Sequence, residues 1–409
     1  MKPSGHFHTI IIGGGPAGLF AAAHLTREKV LLIEKNKVPG RKLMISGNGQ
    51  CNFTHSGKID DFNRHYGSNY SFLSHALNGY TNKNVIDFFE DRGIKLFIDK
   101  NGKVFPHSLK AADILDALLT EIKKRNVELS YGKAVVKVQK VKKKFIVSMD
   151  CHTYTCNHLL IATGGLSYPS TGSDGDGFKF ARVLGHTITA TQPALCPVIP
   201  NAYPFSSLSG ISLRAAKIFL FRRGTLIQEH RGDVGFTHTG LSGPGIIDFS
   251  RYIIPGDVLK VNLAGTSPEK LETHFLQQSQ AGNTTLLSFL RHQSMVRNLG
   301  LALLKLNQLS PEKPLAEVSR MQRKKLINDC CAYPFEVQKL AGYKKAMATA
   351  GGVALNEIHP STMESRITRH LYFAGEVMDV DGDTGGYNIQ AAFSTGWLAA
   401  QSINISPDE

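Results

Sequence analysis

The sequence predicts an α/β fold, a doubly wound parallel sheet interrupted by a long insertion, and three observations predict it. A run of β-branched residues, Thr9-Ile10-Ile11-Ile12, leads into Gly13-Gly14-Gly15-Pro16-Ala17-Gly18 and then into the apolar stretch 19–25. The α/β texture that follows stops at a cluster of prolines, 193, 197, 200 and 204. It resumes near Met347, where the strand-like run 371–374 is placed to rejoin the first sheet.

Taken in order, the first element is strand, tight turn and helix. In Gly-x-Gly-x-x-Gly, Gly13 allows the turn, Gly15 lets the backbone approach a pyrophosphate, and Gly18 lets helix and strand pack closely. Pro16 and Ala17 open the helix, whose N-terminus offers unpaired N–H groups and a positive dipole end. Glu34 closes the next apolar run, 30–33, about 20 residues on, where a carboxylate accepts a hydrogen bond from a ribose 2′-OH. Together these predict dinucleotide binding. Residues 35–52 then read as a long loop, because their Pro-Gly-Arg-Lys and Ser-Gly-Asn-Gly clusters cannot continue a helix or a central strand. Lys35, Arg41 and Lys42 supply cations, and Ser46, Gly47, Gly49, Gln50 and Asn52 supply small or amide groups, a composition that can wrap a phosphate or the polar edge of a ring.

Helices are predicted at 81–92, stopped by Gly93, and at 111–125, where Lys123-Lys124-Arg125 suits the negative C-terminal end. Between them, 95–98 and 103–105 bracket a hairpin turn. Strands follow at 134–141, which contains Val135, and at 144–149 and 153–156. A further strand, 158–162, runs into Thr163-Gly164-Gly165, a position that faces the ligand crevice of a doubly wound sheet. Asp174 and Asp176 lack the remaining ligands of a calcium loop, so no metal is expected.

The insertion divides by texture. Residues 193–267 are β-rich, with strand-like runs at 217–221, 225–229 and 258–263 and an irregular stretch, 235–245, that holds His238. Residues 268–345 read as helical, over 271–278, 286–304 and 315–331. Residues 346–409 complete the nucleotide domain begun by 1–192. There Gly375-Glu376 follows a strand, and Gly385-Gly386-Tyr387-Asn388-Ile389-Gln390 opens the last helix. The carboxylate is placed to hold a ribityl hydroxyl, and the helix N-terminus to stabilise negative charge on a reduced flavin. Two glycine-rich strand ends beside the first fingerprint favour FAD over NAD as the tightly bound cofactor. No second complete fingerprint exists for NAD(P)H, which is expected only as a transient reductant.

Composition narrows the partners. The chain carries 47 Lys and Arg against 33 Asp and Glu, a net +14. A polyanionic partner would use that excess, since each neutralised phosphate releases counterions. Basic clusters lie at 140–144, 222–223 and 320–325. No window approaches the roughly 18 apolar residues of a membrane span, and the first residues, from Met1 to His6, carry no apolar leader, so the cytoplasm is expected. Six cysteines show neither zinc spacing nor a Cys-x-x-Cys pair.

Nearly the whole chain resembles the aminoacetone-oxidase-like, or BaiN/YhiN-type, flavoproteins. The likeness rests on Ile-Gly-Gly-Gly-Pro-Ala-Gly at 12–18, Pro-Gly-Arg-Lys at 39–42, Ser-Gly-Asn-Gly-Gln-Cys-Asn-Phe-Thr at 46–54 and Ile-Ala-Thr-Gly-Gly at 161–165. It continues through Phe-Thr-His-Thr-Gly-Leu-Ser-Gly-Pro at 236–244, Thr-Ala-Gly-Gly-Val at 349–353, Thr-Met-Glu-Ser at 362–365, Leu-Tyr-Phe-Ala-Gly-Glu at 371–376 and Gly-Gly-Tyr-Asn-Ile-Gln at 385–390. Gln50 and Ala391 depart from it, where many relatives have Arg and Trp. The resemblance implies a discontinuous Rossmann-like FAD-binding domain with an inserted β-barrel plus helical subdomain. One branch is similar to ribosomal RNA dihydrouridine synthases, which reduce the C5–C6 bond of a uridine in large-subunit rRNA, and the net charge favours that branch. NAD(P)H would then reduce FAD, hydride would pass to C6, and an acid would protonate C5. Cys51 is the first candidate acid, because its glycine-rich loop should lie against the flavin; His238 and Tyr387 are alternatives. Two other readings stay open: an FAD oxidase or reductase of a small amine or ketone, and a flavin-containing RNA-binding factor without turnover.

Overall fold

The computed structural model describes residues 4–280 and 282–406. Met1, Lys2 and Pro3, part of the stretch from Met1 to His6 on which the expectation of no leader rests, lie outside them. The chain divides into two compact units, 1–194 with 346–409, and 195–345.

The first unit starts with β1 (Gly5–Ile12), α1 (Pro16–His24) and β2 (Val30–Glu34). The segment 35–52 is not the unbroken loop expected: it holds α2 (Arg41–Ile45) and a 3-10 turn (Ser46–Gly49). Pro39 and Gly40 stand before the helix rather than in it, with Gly40 taking φ +68° as the N-cap. The turn is left-handed at Gly47 and Asn48, two residue types that tolerate that conformation. Next come β3 (Thr54–His55), α3 (Tyr70–Gly79), α4 (Asn82–Glu90), β4 (Leu96–Ile98), β5 (Lys103–Pro106) and α5 (Ala111–Lys124). Then β6 (Glu128–Tyr131), β7 (Val135–Val141), β8 (Lys144–Met149) and β9 (Thr153–Ile161) complete most of the main sheet, and α6 (Asp176–Val183) and β10 (Gln192–Ala194) end this part.

The main sheet runs β6-β2-β1-β9-β8-β7. Its centre is parallel and buried on both faces, so its strands are near-continuous apolar runs: Ile10, Ile11, Leu31, Leu32, Leu159 and Leu160 are fully buried. Two expected strands merge into β9, whose first half pairs antiparallel with β8.

In the second unit, β11 (Val198–Pro200), β12 (Ser212–Arg222), β13 (Thr225–Phe236), β14 (Leu241–Ser242), α7 (Pro244–Phe249) and β15 (Val258–Val261) precede α8 (Pro268–Gln280), α9 (Leu286–His292), α10 (Arg297–Leu306) and α11 (Arg320–Ala332). The expected helix 286–304 is two helices, broken where Ser294 takes φ +63°. Residues 333–345 are not helical: β16 (Tyr333–Leu340) returns to close a barrel, β11-β14-β13-β12-β15-β16. Phe335 and Val337, alternating inward, bury fully or nearly so and hold it there.

Back in the first unit, β17 (Ala348–Ala350) pairs antiparallel with β10. β18 (Leu371–Phe373) pairs parallel with the second half of β9, as the returning strand should. The last helix, α12 (Tyr387–Ile405), packs on α1: a Cβ at Gly396 would run into the Ala17 carbonyl.

Candidate cofactor site

The glycine turn explains itself when a Cβ is added at each position. At Gly13, with φ +111°, it would collide with the Ala162 backbone, and at Gly18 with the Gly13 carbonyl oxygen. At Gly15 it would meet nothing within 4 Å. Two glycines are therefore required by the fold, while the third faces open space at the N-cap of α1. That end has no side-chain cap and no acidic residue in its first turn, so nothing in the helix neutralises it. An open, uncapped, glycine-faced helix end fits the pyrophosphate of a dinucleotide, and FAD fits here on that ground. Glu34 stands beside it, its Oε2 accepting the Gly14 N–H at 2.8 Å and its Oε1 accepting the Asn36 N–H at 2.8 Å.

The cations of 35–42 are already engaged. Lys35 pairs with Asp174 at 2.5 Å and Asp176 at 2.9 Å; burial would lower the ammonium's pKa, and the two carboxylates override it and raise it. Arg41 is exposed and donates to Asn36 Oδ1. Lys42 reaches Glu376 Oε2 at 2.5 Å and also donates to Ser167. Glu376 Oε1 accepts from Ser167 Oγ at 2.6 Å and from the Thr349 N–H at 2.8 Å. Its carboxylate thus ties α2, the loop after β9 and β17 together. Thr349 Oγ1 accepts the N–H groups of Leu166 and Ser167, just after Gly164 and Gly165. Ser167, Asp174, Asp176 and Thr349 lie outside the site residues expected from sequence. Asp174 and Asp176 are noticed there only as an incomplete calcium loop, and Thr349 as the first residue of Thr-Ala-Gly-Gly-Val.

The 46–55 stretch meets the start of α12. Cys51 takes φ +60° and is fully buried; burial pushes its thiol pKa up to about 12, partly countered by a hydrogen bond with Ser46. Gly47 and Gln50 are exposed and Gly49 half-buried, while Asn52 donates to the Thr54 and Val104 carbonyls. Thr54 donates to Gln390 Oε1 at 2.5 Å, and Gln390 is itself fully buried. A Cβ at Gly386 would press into the Thr54 backbone. Asn388 closes its own loop by exchanging hydrogen bonds with Gly382, and Ile389 packs against the core. Tyr387 lies flat against His65, centroids 4.0 Å apart, with His55 stacked at 5.4 Å. His65 Nδ1 pairs with Asp383 Oδ2 at 2.9 Å. Val135 starts β7 with its side chain buried, Thr163 packs on Gly177, and Gly375 takes φ +72° against Ala17.

The first unit therefore brings together the fingerprint, the 46–52 turn, Thr163 to Gly165 and 375–390, with Cys51 and Tyr387. His238 belongs to the second unit, exposed in a turn that Thr237 holds by accepting the Gly240 N–H at 3.1 Å.

A family model described as the HI0933-like protein Rossmann domain matches residues 7–402. A ribosomal RNA dihydrouridine synthase of Escherichia coli K12 is 34% identical over 403 residues, covering 97% of this chain and 98% of the relative. One of the same name from Haemophilus influenzae is 31% identical over 98% of this chain and 99% of its own. A 3-dehydro-bile acid delta(4,6)-reductase of Clostridium scindens is 29% identical over 97% of this chain and 99% of its own. Among solved structures, a 3-ketosteroid-delta4-(5alpha)-dehydrogenase from Rhodococcus jostii aligns over 99% of this chain and 98% of its own, with 14% identity and a TM-score of 0.49.

Proposed function

Because the chain belongs to the HI0933-like Rossmann-domain family and is with its relatives an FAD-dependent oxidoreductase, we propose that it reduces the C5–C6 bond of a uridine in 23S ribosomal RNA, with NAD(P)H as the transient electron source. The observation that carries this reading is the end-to-end likeness to two relatives bearing that name, at 34% and 31% identity. The net charge of +14 supports an RNA substrate over a small neutral one. When bound, FAD supplies the hydride.

The chain's own residues hold the cofactor and supply a proton. The α1 end, Gly15 and Glu34 would hold the dinucleotide, and Lys42, Ser167 and Thr349 fix Glu376 beside the glycine-rich strand ends. We take Cys51 as the donor of the proton to C5 because of its place in the 46–52 turn; burial raises its thiol pKa to about 12, so it is protonated at neutral pH. Cys51→Ala is expected to leave FAD content unchanged and stop rRNA reduction, while Tyr387→Phe tests the alternative donor.

Mass spectrometry of 23S rRNA from a strain lacking the gene decides the substrate: loss of a dihydrouridine, restored by the wild-type gene, is expected, and an unchanged count sinks the reading. A second reading, reduction of a small conjugated enone, has the Clostridium scindens relative in its favour. It predicts NAD(P)H oxidation driven by a free enone, indifferent to RNA and to salt.

A further inference from the structure

The outward face of the barrel is left unused by the reaction above. From 216 to 221, β12 alternates: Ala216, Ile218 and Leu220 are buried, while Lys217, Phe219 and Phe221 take the opposite face. Register puts Arg231 opposite Lys217, and Glu229 and Lys260 on either side of Phe219. The Lys260 ammonium lies over the Phe221 ring, 4.5 Å from its centroid, and Arg231 is oriented by donating to the Ala215 carbonyl at 3.0 Å. Neighbouring Arg222 is spent differently, bound through two nitrogens to Asp257 at 2.8 and 2.9 Å.

One sheet face thus presents two half-buried phenylalanines, three cations and two carboxylates, Glu229 and Asp233, the second already accepting the Ala215 N–H at 2.8 Å. Two aromatic rings stand in successive outward positions, Phe221 with the Lys260 ammonium over it and Phe219 between Glu229 and Lys260. Rings interleaved with cations at strand spacing are what unpaired nucleic acid needs: bases stack on the rings and phosphates meet the ammonium and guanidinium groups. A duplex would offer no free base faces to the rings. The charge is concentrated in the same unit, where residues 195–345 carry 19 Lys and Arg against 10 Asp and Glu, or +9 of the chain's +14.

We propose that the outward face of β12, β13 and β15 is a docking surface for an unpaired RNA segment, with Phe219 and Phe221 as stacking platforms and Lys217, Arg231 and Lys260 as phosphate contacts. This rests on the reading that the substrate is RNA, and adds where and in what form the RNA is held.

The test is fluorescence anisotropy of the FAD-loaded protein with a labelled oligouridine and with a hairpin duplex, over a salt series. Wild type is expected to prefer the single strand. Lys217→Glu with Lys260→Glu should weaken oligouridine binding at least about tenfold and flatten the slope of log affinity against log salt by about 0.7 for each phosphate no longer neutralised. Phe219→Ala with Phe221→Ala should weaken it by about tenfold or more while leaving that slope unchanged. FAD content and melting temperature check that each variant is folded, and Lys217→Arg should bind like wild type. Wild-type affinity in both double variants, or equal preference for duplex, overturns the proposal; so does failure of these variants to bind a ribosomal protein while oligouridine binding stays intact. The failures are separable: an unchanged dihydrouridine count in the deletion strain removes the reaction and leaves this binding result standing, and the reverse holds equally.

Discussion

At the scale of single residues, the glycines of the fingerprint separate fold from function. Gly18 is needed by packing, since any Cβ would drive into the Gly13 carbonyl. Gly15 is needed by nothing in the protein: its φ of −85° and ψ of −176° suit a β-branched side chain, and its Cβ would point into open space. Gly15→Val should therefore leave the apoprotein's melting temperature unchanged and weaken FAD binding at least about tenfold, on the order of 1.4 kcal/mol, by filling the space the pyrophosphate takes. Gly18→Ala should lower the melting temperature as well. Calorimetry of the apoproteins and FAD titration measure the two effects; a Gly15→Val protein that binds FAD like wild type would place the dinucleotide elsewhere.

At the scale of elements, α1 carries a pH dependence. His24 sits in its last turn among Phe20, Tyr80 and Phe88, with its Nδ1 2.8 Å from the Phe20 carbonyl. Burial, with Arg92 and Arg125 adding to it, lowers its pKa from 6.5 to about 4. The folded protein holds the ring neutral while the unfolded chain takes up a proton, so this stabilisation is complete above pH 6.5 and drains away as pH falls toward 4. The loss amounts to at most about 3 kcal/mol. Urea unfolding at pH 7 and near pH 4.5 should show His24→Leu losing less stability on acidification than wild type; an equal loss in both rules His24 out as the cause. Elements of this kind are legible in sequence because their signals are local. The β1–α1–β2 unit follows from β-branched runs, glycines and a carboxylate within thirty-odd residues. α2 escapes such a reading because Pro39 and Gly40, which break a helix from inside, stand here before its first turn. The ties around Glu376 have no local signal at all, since Lys42 lies 334 positions away in sequence and Ser167 lies 209. Only tertiary pairing shows that this carboxylate holds three segments of its own chain.

At the scale of the whole molecule, the insertion has a simple anchorage. The chain leaves the first unit at the end of β10 and re-enters it at the start of β17, and these strands pair antiparallel, Ala194 opposite Ala348 and Pro193 opposite Thr349. The end of one strand and the start of the other are thus already cross-strand neighbours, the geometry that a two-residue hairpin loop closes. The barrel, for its part, closes on itself through β16 after four helices, and its core residues Ile218, Leu220, Leu259, Val261 and Phe335 are all fully buried. Each unit therefore has its own core, and 195–347 can be replaced by Asn-Gly with no strand of the main sheet disturbed. The shortened protein should fold cooperatively, with the circular dichroism of a mixed α/β domain, and keep the glycine fingerprint, Glu34 and the Glu376 ties. It should lose oligouridine binding, because more than half of the net charge and the whole aromatic and basic face of the barrel go with the insertion. Residual binding as tight as that of the full chain would put the RNA contacts on the first unit, where the cluster at 142–144 is exposed. That outcome would remove the barrel from substrate recognition without bearing on where FAD is held.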